Sequence, residues 1–97
     1  MKLFVLTRAD LSRSQQAVQS GHAVAEFMFC KGETTAWRNG ILVYLRVADE
    51  SSLREWIEVF HKNNLPWIDF KEEDLDGALT AVAVTGADSL VKDLQLL

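Results

Sequence analysis

The chain is expected to fold as a single α/β domain on a four-stranded mixed sheet, with helices on both faces and the last strand antiparallel. Three observations carry this expectation. Short apolar runs at Lys2–Thr7, Ile41–Val47, Trp67–Phe70 and Leu79–Thr85 have the length and composition of strands. Two stretches of helical periodicity separate the first three runs. Such crossovers are right-handed and make the strands they join parallel. Only the short segment 71–78 lies between the third and fourth runs. That is too little chain for a helical crossover, so the fourth strand should turn back antiparallel with no helix in the turn.

The elements follow in order. Lys2–Thr7 reads as a buried strand, broken by Asp10-Leu11-Ser12. Ser12 and Gln15 fit a capping box, so a helix should begin there and run to about Met28–Lys31, with Gly32 as its stop. Ala17, Gly21, Val24 and Met28 recur at 4-3-4 spacing and are expected to form its core-facing stripe. Gly21 is costly inside a helix, which suggests close approach to a strand. Asp49 or Ser51 can cap a second helix reaching Lys62, whose Leu53, Trp56, Ile57 and Phe60 form an apolar stripe. Asn63-Asn64 ends it, and Pro66 cannot continue it. Asp88–Leu96 is expected to form a terminal helix.

Composition narrows the class. The 97 residues, 48% hydrophobic and 25% charged, fit one domain spanning 1–97. A domain this small buries only about 60–65% of its unfolded surface, and it carries nine aromatics, so it is expected to pair as a homodimer. One cysteine, Cys30, excludes an internal disulfide framework and a cysteine-built zinc site. The apolar start meets Arg8 and Asp10 too soon for a signal-peptide core, and no run of about 18 apolar residues exists. A cytoplasmic location with no membrane partner is therefore expected. Charge is uneven: residues 1–46 hold six Lys/Arg against three acids, while residues 47–97 hold four against eleven. Only the first half can present a basic face to nucleic acid.

Two constellations could carry chemistry. Gln15, Gln19, His22 and Glu26 share a helix face near the carboxyl end of the first strand, where open α/β sheets bind ligands. A neutral imidazole there can act as general base, although a polar stripe is equally the mark of a solvated face. The acidic segment Lys71-Glu72-Glu73-Asp74-Leu75-Asp76-Gly77 can supply a carboxylate or be a solvated turn, and it lacks Ca²⁺-loop spacing. Trp37, Trp56 and Trp67 read as core packing and Cys30 as an inert thiol. There is no Gly-rich phosphate loop, serine elbow or metal-binding histidine pair.

Arg8-Ala9-Asp10-Leu11 followed by Ala17-Val18-Gln19-Ser20-Gly21-His22-Ala23 resembles the opening of the type 2 peptidyl-tRNA hydrolases, which read Arg-x-Asp-Leu and Ala-Ala-Gln-x-x-His-Ala. The match continues through Leu42–Val47, Leu65-Pro66 and Leu79–Val84, covering roughly residues 3–86. The resemblance implies a three-layer α/β/α sandwich and an enzyme that hydrolyses the ester joining peptide to tRNA, with no cofactor and no metal. It places His22 in the active site, Gln19 beside it, and Thr80 facing the site from the last strand. Glu72 falls where the family has a loop aspartate, with Asp74 the other candidate. The family's lysine four residues before the glutamine is here Gln15, and its Asp-Ala-Gly-x-Thr loop is replaced by a shorter acidic turn.

The leading expectation is thus a peptidyl-tRNA hydrolase-like esterase in which His22 and Glu72 or Asp74 activate water. Gln15, Gln19 and Thr80 would hold the substrate carbonyl or ribose. For peptidyl-tRNA as partner, positive charge must come from Arg8, Arg13, Lys31 and Arg38, with Arg13 and Lys31 as the principal contacts. The rival expectation is a non-catalytic member of the same fold that binds a ligand or protein through the same cleft; an RNA-binding module is a weaker third.

Overall fold

In the chain, a computed structural model describing residues 1–97, β1 (Lys2–Arg8) lies beside β2 (Ile41–Val47), and the two run parallel from Lys2↔Ile41 to Arg8↔Val47. On its other side β1 meets β4 (Ala78–Thr85) antiparallel, and β4 in turn pairs antiparallel with β3 (Trp67–Glu72). The order is β2-β1-β4-β3, a four-stranded mixed sheet in which only β4 runs opposite to the rest. The helices are α1 (Arg13–Lys31), α2 (Glu50–Lys62) and the short α3 (Asp88–Val91). No helix is long and apolar enough to cross a membrane.

β1 and β4 occupy the middle of the sheet, which explains their unbroken apolar runs. A strand covered on both faces must be hydrophobic at every position rather than at alternate ones. Odd residues of β1, Leu3 and Val5, are buried with Ala23 and Phe27 of α1 and with Trp37. The even residues Phe4 and Leu6 are buried instead with Leu53 and Phe60 of α2. The expected α2 stripe is therefore the observed one, and Asp49 caps that helix by accepting from the Ser52 N–H at 2.9 Å.

Helix α1 begins and ends where expected, but its buried face does not. Ser12 accepts from the Gln15 N–H at 3.2 Å, and Gly32 donates its N–H to the Met28 carbonyl at 3.0 Å. The reciprocal half of the capping box is unmade, because the Gln15 side chain is engaged with Gln19 instead. The buried residues are Gln19, Ser20, Ala23 and Phe27, while Ala17, Gly21 and Met28 are exposed. Gly21 approaches no strand; a side chain there would meet nothing within 4 Å. The expected stripe ran along the wrong side because two of the truly buried residues are polar. Ser20 makes a 2.7 Å hydroxyl–hydroxyl hydrogen bond with Thr7 of β1 and donates to the Gln16 carbonyl, so it enters the core satisfied.

Two further expectations are corrected. The turn between β3 and β4 contains a single 3-10 turn, Glu73–Leu75, closed by Asp76 at φ 57° and Gly77 at φ 74°. One turn reverses the chain and does not cross the sheet, so the antiparallel topology stands. The terminal helix stops at Val91 rather than Leu96. The tail straightens and lies along β2: Arg46 N–H donates to the Gln95 carbonyl at 2.9 Å, and Leu97 N–H to the Tyr44 carbonyl at 3.0 Å. β2 is an edge strand with unpaired backbone groups, and an extended apolar tail can satisfy them where a helix cannot.

A β-bulge interrupts β4. Phe70 faces Ala81, yet the next residue of β3, Lys71, faces Leu79, so Thr80 is the extra residue. Regular alternation would send Thr80 to the side of Val82. The bulge turns it instead to the side of Ala81, towards α1.

Candidate functional site

The turned Thr80 meets Gln19. Its hydroxyl donates to the Gln19 Oε1 at 2.7 Å, and the Gln19 amide nitrogen donates to Glu72 Oε1 at 2.9 Å and to Gln15 Oε1 at 3.0 Å. The orientation of the amide follows from chemistry, because an ionised carboxylate only accepts and must face the NH₂ end. Gln19 is fully buried and uses both ends of its amide. One residue from the helix thus ties the end of β3 to the central strand β4. Holding the Gln15 oxygen against Gln19 also leaves the Gln15 NH₂ free to face outward.

His22, one turn further along α1, is exposed and lies flat on the Phe70 ring, with centroids 4.5 Å apart and planes 5° from parallel. Alternation along β3 puts Ile68, Phe70 and Glu72 on one face, so the imidazole and the carboxylate lie above the same strand. Glu72 is held ionised below its ordinary range, first by the Gln19 hydrogen bond and then by the backbone N–H groups of Asp74 and Glu73 and the charge on His22. Asp74 contributes that backbone donor alone; its carboxylate is exposed and has no partner. Of the two candidate carboxylates, Glu72 is the one that joins the site.

The folded-state value of Glu72 lies below its unfolded value. Its ionised form therefore contributes stability that is present above the ordinary glutamate range and is lost as pH falls through the folded value. Thermal midpoints measured from about pH 7 down to about pH 3 should drop less steeply for Glu72→Gln than for the wild-type chain. Identical slopes would show that this carboxylate adds nothing to the fold.

The basic residues divide. Arg8 is committed to the structure: it forks onto Asp10 at 2.9 and 3.0 Å, donates to the Leu79 carbonyl at 3.1 Å and lies 3.6 Å from Glu50. Glu50 in turn accepts the Leu79 N–H at 3.4 Å and the Arg54 guanidinium at 2.7 Å. The β1–β4 ladder ends at Thr7↔Ala81, so beyond the bulge Arg8 and Glu50 stand in for the missing strand at Leu79. The Asp10 hydrogen bond raises the Arg8 pKa and the reciprocal bond lowers that of Asp10. Glu50 is lowered mainly by Arg54. Arg8 is accordingly removed from the expected basic rim, and Arg38 is turned onto the carbonyls of Thr35 and Trp37. Arg13 and Lys31 form no ion pair, but they stand at opposite ends of α1, about 27 Å apart at 1.5 Å per residue. Arg13 shares the first turn of α1 with Gln15 but points to another side of the helix, and Lys31 is remote from the site.

No cavity encloses the site within one chain. The two surface depressions lie elsewhere, one between Arg46–Ala48 and Asp93–Gln95, the other around Met28–Cys30 and Gly32–Thr34. His22 lies exposed beside Gln19 and Glu72, and neither depression includes it. Glu26 also leaves the site; the Cys30 thiol donates to it at 3.8 Å. No group of three or more His, Cys, Asp or Glu side chains is placed to hold a metal ion. Phe70, Ser20 and the Arg8–Glu50 bracket were not singled out as site residues from the sequence. The alternation Ile68–Phe70–Glu72 was the signal that could have found the first of them.

Comparison with models of known families and with curated proteins gives no match. Among solved structures, the chain is similar to a protein of unknown function from Agrobacterium tumefaciens, with a TM-score of 0.71 and 17% identity over 99% of this chain and 96% of that one. At that identity the likeness extends to the fold alone.

Proposed function

We propose that the chain is a cytoplasmic peptidyl-tRNA hydrolase-like domain, a three-layer α/β/α sandwich, acting on the ester between a peptide and tRNA. The observation that carries this reading is the Gln19 hydrogen-bond hub. Gln19 and His22 belong to the helix motif, Glu72 to the end of β3 and Thr80 to the last strand; Gln19 bonds Glu72 and Thr80, and His22 lies on Phe70 of the same strand as Glu72. In the proposed reaction His22 takes a proton from water as its oxygen attacks the ester carbonyl. The Glu72 anion stabilises the imidazolium so formed. The imidazolium then returns its proton to the departing ribose oxygen as the ester C–O bond breaks. The outward NH₂ of Gln15 stands where the family has lysine and would donate to the developing oxyanion. Gln19 and Thr80 position Glu72 and touch no substrate. Arg13, at the same end of α1 as Gln15, would receive the nearest phosphate, whereas Lys31 is too distant to share it.

Purified protein should release free tRNA from a peptidyl-tRNA, and His22→Ala should slow release by about 10²–10⁴-fold. Absence of release by the wild-type chain, or equal rates for the variant, would defeat the reading. One observation favours a second reading, a non-catalytic binding domain: His22 in a single chain rests on Phe70 with no cleft around it. Binding of an uncleaved peptidyl-tRNA, unaffected by His22→Ala, would select that alternative.

A further inference from the structure

The chain treats the two edges of its sheet differently. The outer edge of β2 carries the protein's own tail, whereas β3 pairs with β4 only. The Thr85 N–H donates to the Pro66 carbonyl at 3.3 Å, and Ile68 and Phe70 stand opposite Ala83 and Ala81. In an antiparallel pair, bonded residues alternate with unbonded ones. The backbone groups of Pro66, Ile68 and Phe70 therefore point to β4, and those of Trp67, Asp69 and Lys71 point away from the sheet.

We propose that β3 pairs antiparallel with β3 of a second copy, about a two-fold axis at Phe70, making one eight-stranded sheet. Strand parity requires outward-pointing residues to face outward-pointing residues. With the axis at Phe70, Asp69 lies opposite the partner's Lys71 and Lys71 opposite the partner's Asp69. Moving the axis to Asp69 or to Lys71 keeps parity but sets like charges face to face, which is unfavourable. An axis at Ile68 also keeps parity but sets Asp69 opposite the partner's Trp67, so the Phe70 register is the one that pairs opposite charges. On the α1 side, Phe70 meets the partner's Phe70 across the axis.

Two six-residue edges are too small for a stable interface, which needs about 1,200–2,000 Å² in total. Helix α1 supplies the remainder. Val18, His22, Ala25 and Phe29 are spaced i, i+4, i+7 and i+11 and form one stripe. His22 stacks on Phe70, so this stripe overhangs the open edge. Its Val18 is 50% exposed and its Phe29 88% exposed, with nothing in the chain to cover them. The axis near His22 sets the partner's Phe29 alongside Gln15. The pairing itself rests on strand parity, charge and the apolar stripe, not on the hydrolase reading.

Sedimentation at tens of micromolar, where specific dimers normally persist, tests the pairing. The wild-type chain should sediment as a dimer. Asp69→Lys and Lys71→Asp should each weaken dimerisation by about tenfold or more, because each sets two like-charged pairs across the axis. The double variant D69K/K71D should dimerise again, and mixing the two single variants should yield a mixed dimer. Phe29→Ser, at an exposed position that leaves the fold intact, should also weaken the dimer. A monomeric wild type overturns the proposal. So does a dimer indifferent to both charge reversals and to Phe29→Ser, or charge effects that neither the double variant nor mixing restores.

Discussion

Replacing Gln19 with alanine is expected to lower the unfolding free energy by about 2–4 kcal/mol, read as a shift in the denaturant midpoint at unchanged slope. The truncation leaves a void beneath α1. It also takes from the fully buried Thr80 hydroxyl its 2.7 Å acceptor and leaves it only the Phe70 carbonyl at 3.3 Å. An unpartnered buried hydroxyl costs about 1–3 kcal/mol, and exchanging a short bond for a long one costs part of that, whereas Glu72 can turn to water and adds little. Thr80→Val alone should also destabilise, because it leaves the Gln19 oxygen without its donor. The double variant should cost less than the two single losses combined, by about 1 kcal/mol or more, since both remove the same bond. Strict additivity would mean that the Gln19–Thr80 contact carries no energy. Turnover on peptidyl-tRNA should fall with Gln19→Ala as well, because Glu72 loses its principal hydrogen bond.

Phe27→Ala is expected to be the most damaging single truncation on α1, at about 3–5 kcal/mol, a large part of the 5–15 kcal/mol typical of a domain. Phe27 is fully buried against Leu3, Val5 and Ala83. Phe29, two residues on, points to solvent, and Phe29→Ala should change stability by less than about 0.5 kcal/mol. The comparison must be made dilute enough to keep the chain monomeric, because self-association adds to apparent stability. A larger loss at Phe29 than at Phe27 would mean that α1 is rotated from the orientation described.

That pair of phenylalanines shows what the sequence could reveal. The strands were legible as short apolar runs and α2 by its helical period, and the partners of both are other apolar residues. Leu53, Trp56, Ile57 and Phe60 needed nothing else to be assigned to a core. Helix α1 was misread because periodicity assigns burial by hydrophobicity, and this helix buries Gln19 and Ser20. What makes them buriable lies far away in the chain: Thr7 for Ser20, Glu72 and Thr80 for Gln19. Gln15, Gln19 and His22 were chosen as a common face, and that much follows from helical spacing. That Gln19 would be interior and His22 exterior depended on a bulge at Thr80 with no local signature. The choice between Glu72 and Asp74 was likewise open in the sequence. It turns on β3, which carries Glu72 to the Gln19 amide, while the Asp74 carboxylate is left exposed in the 3-10 turn. The tail was misread for a related reason: its partner, the edge of β2, lies some fifty residues earlier.

The strand order also imposes a timetable on biosynthesis. β4 sits between β1 and β3, yet it is the last strand to be made. Until residues 78–85 emerge from the ribosome, β3 has no neighbour and the inner edge of β1 is bare. α1 has Gln19 and Ser20 to bury: Ser20 already has Thr7, whereas Gln19 has Gln15 and Glu72 for its nitrogen but no donor yet for its oxygen. The outer edge of β2 waits longer still, for the final three residues. A nascent chain that stalls before β4 is therefore an amphipathic helix beside an open two-stranded ribbon, with long-range pairing still to be completed. The arrival of one late strand closes the sheet, fills both cores and brings Thr80 to Gln19 in the same event.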